Sequence, residues 1–148
     1  MGYDLSNEKG HGYRWNIWGW GSVFNLALSY DWQPLGTELD LSYLNEGEDD
    51  DHEAEEWEGG YFSNDGQVVS KKDAEGFAKA LESSLDDIPD RDVRPKTSGK
   101  INDSFFERRK KIWGQQKASL LVEFSGEESK KYLRGFISFL REGSFRIY

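Results

Sequence analysis

The aromatic segment from Tyr13 to Trp32 constrains the fold more than any other part of the sequence, because it holds four of the six tryptophans. Large rings bury about 150–250 Å² each and dominate either a core or a binding surface. The chain has 148 residues, of which 36% are hydrophobic and 15% aromatic, so its core should be built from a few large rings. A domain of this length buries about 68–70% of its unfolded surface, and we predict a single domain over residues 1–148.

Two secondary structures fit this segment. Its apolar residues alternate as in a strand, but from Trp20 to Leu28 they also follow the spacing of a helix. One strand across the whole segment would be about three times the usual length. We therefore predict a helix from about Trp20 to Asp31, because Gln33 precedes Pro34 and is disfavoured in a helix. We expect the rings in the core, although exposed rings could stack on a sugar or a base.

Strand and helix signals alternate along the rest of the chain. Period-two alternation, β-branched residues and flanking turns predict strands at residues 3–5, 13–17, 39–43, 68–69, 120–124 and 145–148. Helical spacing predicts amphipathic helices at residues 70–88, 104–113 and 125–140, each with a serine at its start. We expect a turn at Asn64-Asp65-Gly66, leading from Tyr61 and Phe62 into the strand at 68–69. Together these elements predict an α+β fold: a small, mainly antiparallel sheet packed against two or three amphipathic helices.

All of the excess negative charge lies in one run. The chain has a formal net charge of −9, and residues 46–58 contain nine carboxylates, so the rest of the sequence is formally neutral. The nine are Glu46, Glu48, Asp49, Asp50, Asp51, Glu53, Glu55, Glu56 and Glu58. Because neighbouring like charges repel, we predict a solvated acidic insertion at 46–58, and later in the chain a flexible basic loop at 89–103.

Three interpretations of the acidic run are open. It could be only a solvated segment, it could occupy the basic groove of a nucleic-acid-binding protein as a mimic of the phosphate backbone, or it could bind a divalent metal. We reject the metal site, because Asp49, Asp50 and Asp51 are consecutive and no glycine follows at the position that a calcium loop requires. Trp57 adjoins the run and is the tryptophan that we expect to be exposed.

No catalytic or cofactor-binding motif is present in the sequence. It has no cysteine, and neither His11 nor His52 lies near a nucleophile motif such as G-x-S-x-G. The segment from Gly19 to Ser22 lacks the Gly-Lys-Ser/Thr of a phosphate-binding loop. We therefore expect no enzymatic activity, no metal and no cofactor. The start of the chain lacks a signal peptide's apolar region, and no run of about 18 apolar residues occurs, so we expect a cytoplasmic protein.

A basic group lies in the second half of the chain, at Arg91, Arg94, Lys96, Lys100, Arg108, Arg109, Lys110 and Lys111. Such a group can contact nucleic acid, but the chain as a whole is acidic and has no DNA- or RNA-binding motif. It can equally pair with the acidic half of the chain, at about 0–1 kcal/mol for each exposed pair. We therefore do not expect direct nucleic-acid binding.

Four blocks carry a resemblance to other proteins: MGYD, WGW…LALSYDWQPLGT, YFSNDGQVVSKKDAEGFAKALE and YLRGFISFLREGSFRIY. They resemble a family of short, functionally uncharacterised proteins of bacteria and their phages. The resemblance implies a bacterial host and a compact cytoplasmic fold, and it transfers no functional residue. The acidic run and the basic loop lie outside the similar blocks.

These observations favour a non-enzymatic interaction protein of phage or bacterial origin, of the inhibitor, immunity or anti-defence type. Its partner would be a basic protein surface, bound through the acidic run at 46–58 and its Trp57. The alternative is a domain that binds a small ligand, a sugar or a nucleotide, through exposed tryptophans.

Overall fold

A five-stranded antiparallel sheet and four helices make up the fold in the computed structural model, which describes residues 2–39, 60–94 and 114–148. The strands are β1 (Gly2–Asn7), β2 (Gly12–Asn16), β3 (Thr37–Glu38), β4 (Gln67–Val69) and β5 (Phe145–Ile147). The helices are α1 (Ile17–Ser29), α2 (Lys71–Leu85), α3 (Gln115–Glu123) and α4 (Glu127–Leu140). The predicted α+β fold with a small antiparallel sheet is confirmed.

The strand order in the sheet is β2-β1-β5-β4-β3, so the last strand in the sequence lies at the centre. β5 pairs antiparallel with β1 on one side and with β4 on the other, and Ile147 stands opposite both Leu5 and Gln67. The predicted hairpin of β1 and β2 is present. Its turn is held by the side chain of Asn7 and by Gly10, which adopts a positive φ of 79°.

α1 confirms the helix predicted in the aromatic segment. It begins at Ile17 rather than Trp20, because the side chain of Asn16 accepts a hydrogen bond from the Gly19 N–H (2.6 Å) and caps the helix start. α2 begins as predicted at Ser70, whose hydroxyl accepts a hydrogen bond from the Asp73 N–H (3.1 Å). Both helices thus begin where a local polar side chain satisfies an amide of the first turn.

The core is built from large rings. Phe77 of α2 and Phe136 of α4 are fully buried and meet edge to face, with ring centroids 5.5 Å apart. The ring of Trp20 lies 6.0 Å from Phe77 and 6.2 Å from Phe136. Trp15 and Trp32 are buried as well, so three of the four tryptophans in the aromatic segment belong to the core. Such pairs add about 0.5–1.5 kcal/mol each beyond their buried area.

The predicted strand at 120–124 is wrong, because α3 runs through Glu123. Its apolar residues Ala118, Leu121 and Val122 are buried, and their spacing matches one face of a helix. Ser125 does not cap α4, as its hydroxyl donates to the Val122 carbonyl (2.6 Å). The residue before the helix is Gly126, with a φ of 96°.

Other predictions are resolved only in part. Tyr61 and Phe62 form a turn, and β4 pairs with β3 and β5 instead. A strand occurs at Thr37–Glu38, and the remainder of the segment predicted at 39–43 lies outside the described residues from 40 onward. The helix predicted at 104–113 also lies outside them. No helix among the described residues is long and apolar enough to span a membrane.

Candidate interaction surface

The predicted partner-binding residues all fall in 40–59, which lies outside the described part of the chain. They are the nine carboxylates from Glu46 to Glu58 together with Trp57. The structure does describe the residues on both sides of this segment, and they determine where it joins the fold.

Both flanks of the acidic segment meet at one corner of the sheet. On the first side, Glu38 of β3 pairs with Val68 of β4. On the second side, the carbonyl of Gly60 accepts a hydrogen bond from the side-chain amide of Gln67 (2.7 Å), the residue before Val68 in β4. The same amide donates to the Ser63 carbonyl (2.7 Å), and Gln67 is fully buried. The chain therefore leaves the sheet and returns to it beside two consecutive residues of β4.

A buried carboxylate ties both flanks to α2. Asp73 is only 1% exposed, and its Oδ1 accepts hydrogen bonds from the Trp32 indole (3.0 Å) and from the Leu35 N–H (3.1 Å). Its Oδ2 accepts a hydrogen bond from the hydroxyl of Tyr61. Trp32 and Leu35 precede the acidic segment and Tyr61 follows it, so one carboxylate holds both sides. Its three donors offset the desolvation penalty of a buried carboxylate.

Tyr61 links this carboxylate to the rest of the corner. Its hydroxyl also accepts a hydrogen bond from the Gly36 N–H (2.9 Å), and its carbonyl accepts one from the Trp20 indole (2.7 Å). Burial first, and then the hydrogen bond to Asp73, raises the pKa of Tyr61 well above its usual value. The hydroxyl therefore stays protonated and keeps donating to Asp73 at neutral pH.

Aromatic packing fixes the same corner against α1. The ring of Phe24 lies 5.0 Å from Trp32, 5.0 Å from Tyr61 and 5.1 Å from Phe62. The hydroxyl of Tyr3 donates to the Phe62 carbonyl (2.9 Å), which joins the turn to β1. Both flanks of the acidic segment are thus held by buried hydrogen bonds and by ring contacts.

Trp18 is the exposed tryptophan of the described residues, with 82% of its surface accessible. Sequence reasoning selected Trp57, which lies outside the described residues, and did not single out Trp18. The helical spacing of α1 does predict that Trp18 is exposed. Trp20, Val23 and Ala27 occupy the buried face of α1, and Trp18 falls on the opposite face.

The described part of the basic loop is attached to the fold. Val93 is buried against Ala118 and Val122 of α3, and its N–H donates to the Ser125 hydroxyl (3.0 Å). The ammonium of Lys130 donates to the carbonyl of Ile88 (2.9 Å). Residues 89–94 therefore have defined contacts, whereas 95–113 lie outside the described residues.

The charged residues of this loop that the structure describes pair with neighbours. The carboxylate of Asp90 lies 2.7 Å from the ammonium of Lys130, and the hydrogen bond from this ammonium lowers the pKa of Asp90. Asp92 pairs with Arg94 (2.8 Å), and the hydrogen bonds from Arg94 lower the pKa of Asp92. The rest of the predicted basic group, from Lys96 to Lys111, is outside the described residues.

Neither histidine adds a catalytic constellation to the described residues. The Nδ1 of His11 lies 2.6 Å from a carboxylate oxygen of Glu142, in an exposed pair, and His52 falls in the segment that is not described. Within 2–39, 60–94 and 114–148, no group of three histidine, aspartate or glutamate side chains is placed to hold a metal ion.

An open groove of about 400 Å³ separates the start of α1 from the junction of α3 and α4. Trp15 and Tyr132 contribute rings to it, and Glu123 and Glu128 contribute carboxylates. The indole nitrogen of Trp15 is buried without a hydrogen-bond partner among the described residues. A buried donor of this kind costs about 1–3 kcal/mol, so the position favours an additional acceptor.

Comparisons with protein-family models, curated proteins and solved structures find no match to this chain.

Proposed function

We propose that this chain is a non-enzymatic acidic interaction protein that binds a basic protein surface through residues 46–58. The observation that carries the proposal is that both flanks of this segment are fastened at one corner of the sheet. Glu38 and Gly60 both lie beside β4, and Asp73 holds residues on each side. Fixed flanks favour binding, because less chain entropy is lost when a partner orders the segment between them.

The charge distribution supports an electrostatic role. Nine carboxylates in 46–58 account for the whole net charge of −9. A concentrated negative field speeds encounter with a basic surface and selects against acidic partners. Closely spaced carboxylates also resemble the spacing of charge along a nucleic-acid backbone, so a nucleic-acid-binding protein is the favoured class of partner.

The resemblance to short proteins of bacteria and their phages gives this activity a biological setting. An acidic protein that occupies a basic groove would act as an inhibitor, an immunity protein or an anti-defence protein in the bacterial cytoplasm. In each role the acidic run competes with the nucleic acid that the partner normally binds.

A pull-down with matched variants tests the proposal. D49N/D50N/D51N removes three charges from the acidic run, and E75Q/D86N/E127Q removes three exposed charges from the helices or their ends. Both variants and the wild type are used as bait in bacterial lysate at low and at high salt. We expect the wild type and the helix variant to retain basic proteins at low salt and the first variant to lose them. Equal capture by all three baits, insensitive to salt, would rule the proposal out.

Binding of a small ligand is the second candidate function. The exposed ring of Trp18 can stack on a sugar or a base, and the rings of Trp15 and Tyr132 line an open groove beside it. Titration with sugars and nucleotides tests it through tryptophan fluorescence. A saturable change that Trp18→Ser or Tyr132→Ala abolishes would favour this function. The absence of any change would remove it.

A further inference from the structure

α1 is a surface helix without charge. Its sequence, IWGWGSVFNLALS, contains no acidic or basic residue, although 32% of the whole chain is charged. Each of the other helices that the structure describes, α2, α3 and α4, carries at least two charged residues. A solvent-facing helix normally places charged residues on its outer face, so the composition of α1 requires an explanation.

The side of α1 that faces away from the core is uncharged, and it exposes three large apolar side chains. We define the outer face of α1 as the residues opposite its buried face, which are Ile17, Trp18, Gly21, Ser22, Asn25, Leu28 and Ser29. Ile17 is 41% exposed, Leu28 is 40% exposed and Trp18 is 82% exposed. Among the residues that the structure describes, none would come within 4 Å of a Cβ atom on Gly21, at the centre of this face.

A further exposed ring lies beside α1. Phe62 is 51% exposed, and its ring lies 5.1 Å from that of Phe24, one turn of α1 before Leu28. Single exposed apolar residues are ordinary on protein surfaces, whereas α1 and the turn beside it expose four large apolar side chains, as interaction sites do. Tryptophan is also among the residues enriched in binding hot spots.

The charged residues beside this face identify the chemistry of its partner. Glu123 and Glu128 line the groove that Gly19 and Ser22 of α1 also line, and both carboxylates are exposed. The guanidinium of Arg14, at the same groove, is paired with Asp4 (2.9 Å). The border on the groove side is therefore acidic, and a second copy of a chain with a net charge of −9 would bring like charges together.

We propose that the exposed apolar residues on the outer face of α1, with Phe62, form the apolar centre of an interface with a basic protein that presents an apolar patch bordered by lysine or arginine. This proposal depends on the proposed function, which supplies the basic partner, and it adds a second contact region with Trp18 as its anchor. An apolar centre with a charged border is the usual anatomy of a protein interface.

Two synthetic peptides serve as probes. The first is a helical peptide of leucine and lysine with its leucines on one face, and the second has the same lysines but serine in place of each leucine. Binding of each labelled peptide is measured by fluorescence anisotropy at low and high salt. We expect the wild type to bind the leucine peptide about tenfold more tightly than the serine peptide, because only the first can cover the apolar face.

Variants separate the two contact regions. Trp18→Ser should remove the preference for the leucine peptide and leave the affinity for the serine peptide unchanged. Leu28→Asn should reduce the preference, also without changing the affinity for the serine peptide. Tyr148→Ser, at an exposed ring outside α1, is the control and should keep the preference. D49N/D50N/D51N should weaken the binding of both peptides by the same factor. Circular dichroism establishes that each variant is folded.

Each outcome decides between the proposals. If Trp18→Ser and Leu28→Asn keep the full preference, the apolar interface is refuted while salt-sensitive binding still upholds the proposed function. If the wild type binds neither peptide, both proposals fail. A dimer in sedimentation that Trp18→Ser dissociates would assign the face to a second copy and overturn the inference.

Discussion

Replacing Asp73 by alanine should destabilise the protein by about 3–5 kcal/mol. The carboxylate is 1% exposed and accepts hydrogen bonds from the Trp32 indole, the Leu35 N–H and the Tyr61 hydroxyl. Hydrogen bonds to a charged group contribute about 1.5–3 kcal/mol each, but part of this gain offsets the desolvation of the carboxylate. Alanine leaves three neutral donors without an acceptor, each at a cost of about 1–3 kcal/mol, but it also removes the desolvation penalty of the carboxylate. The expected net loss of about 3–5 kcal/mol is a large share of the 5–15 kcal/mol stability of an ordinary domain.

Asp73→Asn is the matched control. The amide keeps an oxygen that can accept from Trp32 and Leu35, while its NH₂ group faces the Tyr61 hydroxyl, which can rotate to accept. We therefore expect a smaller loss, of about 1–2 kcal/mol.

Urea unfolding followed by circular dichroism gives both free energies of unfolding. Hydrogen exchange gives a local measure, because the Leu35 amide should lose protection in Asp73→Ala and keep it in Asp73→Asn. A loss below about 1 kcal/mol for Asp73→Ala, with that amide still protected, would refute the assignment of Asp73 as the tie between the flanks.

Three further predictions concern the corner and the core. Burial and the hydrogen bond to Asp73 raise the pKa of Tyr61 in the folded state, so its contribution to stability is complete below about pH 10 and is lost as the pH rises further. In urea unfolding, the free energy of unfolding of Tyr61→Phe should therefore fall less at alkaline pH than that of the wild type. Gln67→Leu leaves the carbonyls of Gly60 and Ser63 without their donor and should reduce the free energy of unfolding by about 1–3 kcal/mol, with faster proteolysis near residue 60; an unchanged cleavage rate would contradict this. Phe136→Ala should cost about 3–5 kcal/mol in thermal or urea unfolding, whereas Trp18→Ser, at an exposed site, should change stability by no more than about 0.5 kcal/mol.

Local signals predicted the elements that local chemistry determines. The helix in the aromatic segment followed from its length and from Pro34, and α2 followed from Ser70 and a long amphipathic pattern. The strand predicted from Leu120 to Phe124 was wrong because periodicity alone does not distinguish a strand from a helix in a short apolar run. Here the run continues a helical face that includes Ala118.

Long-range contacts were beyond what the sequence could predict. Asp73 occupies a capping-box position beside Ser70, yet its side chain bonds to residues 32, 35 and 61 rather than to the helix start. The exposure of Trp18 depends on the rotational phase of α1, which becomes certain only when the buried face is known. The central place of β5 depends on pairing with strands far away in the sequence.

The central claim is that the acidic run binds a basic protein surface, and the salt dependence of the dissociation constant tests it most directly. The measurement uses a purified partner captured in the pull-down, with wild type and D49N/D50N/D51N compared across salt concentrations whose Debye lengths run from about 10 Å to about 3 Å. We predict that affinity falls steeply with salt for the wild type and less steeply for the variant. Equal affinities and equal slopes would contradict the claim.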